Sequence, residues 1–74
     1  MKGPAPPCVA RLVAQQRALG ISDEQVDRLI ATSEDVLVKA AWQALLKGRE
    51  DIRDLLLTVI QCKRAARAHR AETS

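Results

Sequence analysis

A chain of 74 residues, 47% of them hydrophobic, holds one domain near the lower size at which a single core is self-sufficient. Twelve of the apolar residues are Ala, Phe and Tyr are absent and Trp42 is the sole aromatic, so the core has to be aliphatic and built from helices. The formal net charge of +3 divides into +3 over residues 1–22, −4 over 23–36 and +4 over 37–74, which excludes a uniformly cationic surface and leaves an acidic patch and a basic tail.

No stretch alternates apolar and polar residues long enough for a strand, so the fold class is all-α, a small bundle of three to four helices. Residues 1–6 are Pro- and Gly-rich and read as a flexible segment ahead of a single helical domain, 7–71, with 72–74 disordered. The opening residues lack the apolar core of a secretory signal, and no run of 18 apolar residues is present to enter a membrane. The expectation is a cytoplasmic protein with no membrane association, its Cys8 and Cys62 both thiols.

Pro7 suits the first turn of a helix, and Val9, Leu12, Val13 and Leu19 keep a helical repeat that predicts a first helix over about Pro7 to Ala18. Gly20 sits where a helix ends in the left-handed conformation. Ser22 and Gln25 then form a capping-box pattern, flanked by Ile21 and Val26 at the spacing of a hydrophobic staple. A short second helix starts at Asp23, with Val26, Leu29 and Ile30 inward, and ends near Ala31. This turn invites a helix-turn-helix reading. However, Gln15 and Gln16 occupy the places where that motif wants apolar and small residues, and Asp23, Glu24 and Asp27 would meet phosphate. The spacing also resembles the three-helix ubiquitin-associated fold, with Leu19-Gly20-Ile21 in place of a Met-Gly-Phe-type loop. The loop aromatic is absent, and none of that family's binding residues is carried over.

Thr32 or Ser33 caps a third helix that runs to Gly48 and contains the most apolar stretch, Val36 to Leu46. Only Lys39 and Gln43 interrupt it, and with Lys47 they line one narrow strip. A helix apolar around most of its circumference is a buried one, and a chain this short has little with which to cover it. The third helix is therefore expected to lie between helices one and two on one side and a fourth helix on another, leaving Trp42, Leu45, Leu46 and Leu57 for a partner chain. A homodimer is the simplest arrangement that covers them.

The fourth helix begins near Arg49 or Glu50 and places Ile52, Leu55, Leu56, Val59 and Ile60 on one face. Beyond Cys62 its apolar residues shrink to Ala, and the last turns are expected to fray. Lys63, Arg64, Arg67 and Arg70 make a basic strip with two readings: cations favoured by the helix C-terminus, or a nucleic-acid contact that lacks any stacking aromatic. Cys8, Cys62 and His69 are too scattered for a zinc motif, and Cys62 and His69 are two helical turns apart, too far for a nucleophile–base pair. No catalytic, cofactor or metal residue is assigned. The expected function is that of a non-enzymatic interaction module, a small regulator, adaptor or inhibitor docking on a larger protein. A nucleic-acid-binding transcriptional regulator using the basic fourth helix is the alternative.

Overall fold

A computed structural model of the protein describes residues 7–73, with side chains from Cys8 to Ala68. The expected flexible segment 1–6, Ser74 and the side chains of His69 and Arg70 lie outside the described residues. Four helices follow one another, α1 (Pro7–Leu19), α2 (Asp23–Ala31), α3 (Glu34–Leu46) and α4 (Glu50–Thr73), with no strand among the described residues. The all-α class read from the composition holds.

The boundaries sit where the local chemistry places them. The Ser22 hydroxyl accepts from the Gln25 amide at 3.2 Å and the Gln25 side chain accepts from the Ser22 amide at 3.1 Å, closing the capping box at the start of α2. Helices α1 and α3 both end in Schellman turns. Ile21 N–H reaches Gln16 C=O at 3.0 Å, and Arg49 N–H reaches Ala44 C=O at 2.8 Å. Gly20 and Gly48 carry the left-handed backbone of these turns, at φ 69° and 76°. A Cβ at Gly48 would meet no neighbour, so the penalty of Gly48→Ala is conformational alone. It should lower stability by about 1–2 kcal/mol, read as a shift of the urea midpoint.

The core is organised around α4, not α3. Helices α3, α1 and α2 each pack on it, α3 most extensively. Leu55, Leu56, Val59 and Ile60 of α4 are buried together with Leu37 and Ala41 of α3, Leu12 of α1 and Val26 of α2. Both α1 and α3 run against α4: Cys8 lies beside Cys62, and Glu34 beside Arg64 and Arg67. The expected burial of α3 between two flanks is therefore corrected, because the continuous aliphatic stripe belongs to α4 while α3 offers mainly Leu37, Ala41 and Ala44. The shorter helices are also less buried than their repeats suggest. Val9, Val13 and Ile30 stay exposed, since α1 and α2 each meet α4 along a narrow ridge centred on Leu12 and Val26.

Helix α4 is continuous through Glu72 to Thr73, beyond the point at which its shrinking side chains suggested fraying. At 1.5 Å per residue its 24 residues span about 36 Å, most of the 42 Å long axis of the molecule. The radius of gyration, 13.0 Å, accordingly exceeds the roughly 11 Å of a compact domain of this length.

Candidate functional site

Helix α3 presents two apolar surfaces. One, through Leu37, Ala41 and Ala44, is buried against α4. The other follows the i, i+4, i+8 row Val38, Trp42, Leu46, which turns away from the core. Trp42 is 62% exposed and Leu46 83% exposed, the two most exposed large apolar side chains among the described residues. Leu57, off the α4 stripe, is also exposed and stands beside this row, with half-buried Leu45 between them. Of the four residues singled out for a partner, Trp42, Leu45 and Leu57 come together at one groove, and Leu46, one turn beyond Trp42, is not among its lining residues. Val38, Ala41, Trp42, Leu45 and Leu57 line an open groove of about 240 Å³ between α3 and α4, and Arg53 closes its rim. The Arg53 guanidinium donates to Asp54 at 2.9 Å, holding the cation at the edge. Val38 and Arg53 were not anticipated. Val38 is legible in hindsight as the residue one turn before Trp42, whereas Arg53 needs the α3–α4 pairing to place it.

The basic strip is engaged within the chain. Glu34, at the first turn of α3, accepts from Arg64 at 2.9 Å and from Arg67 at 2.6 Å. Lys63 donates to the carbonyl of Thr32, the C-cap of α2. Three of the four cations considered for nucleic acid therefore tie the far end of α4 to the α2–α3 corner, and the fourth, Arg70, has its side chain outside the described residues. The contacts from Arg67 and Arg64 hold the Glu34 carboxyl below its ordinary value of 4.5. A depressed carboxylate contributes stability that is complete above the unfolded value and is lost as pH falls through the lower folded value. Acidification through the lowered Glu34 value should therefore release Arg64 and Arg67 and lower the amide protection factors in the last turns of α4. Glu34→Gln should show the same loss of protection already at neutral pH, with the core amides unchanged.

Cys8 and Cys62 are both free thiols, half-buried where α1 packs on α4. Burial, and then the neighbouring Cys8 thiol, raise the Cys62 thiol above its ordinary value of 9.0. That is opposite to the lowered value a cysteine nucleophile needs. No group of three or more potential metal ligands occurs among the described residues. Asp23, Glu24 and Asp27 of α2 face solvent, where they would repel a phosphate backbone. None of the described helices is long and apolar enough to cross a membrane.

The fold and this face define a small helical protein with an uncovered apolar groove. Comparison with known protein families, curated proteins and solved structures finds no match.

Proposed function

We propose that this is a non-enzymatic interaction module, a small helical regulator, adaptor or inhibitor that docks on a larger protein and is itself a homodimer. The observation that carries the reading is the exposure of Trp42 and Leu46 beside an apolar groove. Aromatic anchors next to a groove are the usual energetic centre of a protein interface. Scattered single apolar residues on a surface are ordinary, but Val38, Trp42, Leu45 and Leu57 converge on one groove with Arg53 at its rim, and Leu46 lies one helical turn beyond Trp42. The engagement of Arg64, Arg67 and Lys63 within the chain favours this reading over a nucleic-acid contact through the same strip. The raised Cys62 thiol favours it over nucleophilic catalysis.

The test compares the tagged protein with its Leu46→Asp variant as bait in extract of the source cells. Leu46 is open to water, so the variant should keep the helical circular dichroism and melting of the parent. A specific protein captured by the parent and lost with Leu46→Asp is the expected result. Equal capture by both baits, or none by either, overturns the assignment of this face.

A further inference from the structure

We propose that Cys8 and Cys62 form an oxidation site, a dithiol that a low-molecular-weight disulfide such as glutathione disulfide converts into a bond fastening α1 to α4. The proposal stands apart from the interaction-module reading, since neither sulfur belongs to the Trp42 groove.

Position is the first argument. Cys8 precedes buried Leu12 by four residues and Cys62 follows buried Val59 by three, so each thiol extends the inward row of its helix by one turn. The two helices run in opposite directions. These added turns therefore coincide, and the thiols stand side by side across the seam. Helices in direct contact hold facing Cα atoms about 4–6 Å apart, which is the span a disulfide bridges.

Access is the second. Cys62 packs against the core cluster and Cys8 is not part of it. Both are half-buried, so neither sulfur is sealed from a small disulfide in solution. Two cysteines serving only as core filler would be enclosed and inert.

The third argument is what the bond would hold. Leu12 is the one buried side chain of α1 among the described residues, while Val9 and Val13 stay exposed. A link at Cys8 anchors the first turn of this weakly held helix. The ring it closes takes in the whole of α2 and α3, a long loop whose closure removes much of the freedom of the unfolded chain.

Burial, and next the adjoining Cys8 thiol, keep the Cys62 thiol protonated near neutral pH. Cys8 is therefore the first attacker. It gives its proton to water, bonds to one sulfur of glutathione disulfide and expels the other as a thiolate, which then takes up a proton. Cys62 Sγ next gives its proton to water, attacks the Cys8 sulfur of the mixed disulfide and expels the second glutathione. Two protein thiols are oxidised to one disulfide, and one glutathione disulfide is reduced to two thiols. The second step is intramolecular, and proximity offsets the reluctance of Cys62 to ionise.

The experiment equilibrates the folded full chain, at low protein concentration, with glutathione disulfide and reads the intact mass. The expected result is the loss of two hydrogens with no glutathione retained, and a proteolytic fragment joining Cys8 to Cys62. The melting temperature should rise by about 10–20 °C and fall back with dithiothreitol. Amide protection should rise in the first turns of α1. Cys62→Ser should stop with one glutathione on Cys8, and Cys8→Ser should react several times more slowly. Circular dichroism checks that both variants keep the parental helix content, and the parental mass decides ring closure even where a variant misfolds. An unchanged mass, glutathione retained on both cysteines, bonds between copies, or closure only in urea would each overturn the site. A ring that leaves the melt and the α1 amides unchanged overturns the fastening of α1. Faster reaction at Cys62 than at Cys8 overturns the order of attack.

Discussion

Leu55→Ala is expected to lower the stability of the protein by about 2–5 kcal/mol, the usual range for truncating a buried leucine. Leu55 is 1% exposed and sits on the α4 stripe against which the other helices pack. A domain of 74 residues has roughly 4–11 kcal/mol in total, so this one substitution should remove a large share of the stability. No neighbouring element is free to collapse into the space, because Val59 and Leu37 beside it are themselves fully buried. Urea denaturation followed by circular dichroism gives the comparison. Leu46→Ala in the same assay should shift stability by less than about 0.5 kcal/mol, since that side chain is 83% exposed. Two leucine truncations of equal chemistry should thus differ severalfold in effect. Equal effects would mean that α4 is not the spine of the core.

Trp42→Ala should do the converse. It removes the largest side chain in the protein, but one that is mostly in water, so the fold should lose little. Association is another matter. A Trp at the centre of an interface typically contributes 2 kcal/mol or more on truncation, which is about thirtyfold in affinity. For the homodimer proposed above, light scattering over a dilution series should show the variant dissociating at correspondingly higher concentration. Unchanged self-association would remove Trp42 from the interface.

Much of this architecture can be read directly from the residues. Helix boundaries are punctuated by Gly20, the Ser22–Gln25 box and Gly48, each a local signal that needs no tertiary context, whereas Ser33 stands at the N-cap of α3 without a side-chain cap bond. The excess of apolar residues on α3 is likewise legible, and the structure leaves Trp42 and Leu46 outside the core, where that excess must go. What cannot be read is which helix the others lean on. Hydrophobicity counts side chains, and α3 has many, but three of its inward positions are only Leu37, Ala41 and Ala44. The aliphatic ridge of Leu55, Leu56, Val59 and Ile60 reaches further. Nor does local spacing reveal that Arg64 and Arg67 find Glu34, since the partners are 30 and 33 residues apart. A helix-surface pattern shows neighbours three and four apart and is blind to a carboxylate on another helix.

The position of the spine in the chain has its own consequence for biosynthesis. Leu12, Val26 and Leu37 leave the ribosome well before the segment they rest on, and at about 5–20 residues per second the interval from Leu12 to Val59 is roughly 2–9 s. During that time the three earlier helices lack the α4 stripe on which each of them packs. The nascent polypeptide should therefore stay open until α4 is available, and a chain shortened before α4 should lack the cooperative unfolding of the whole protein when followed by circular dichroism.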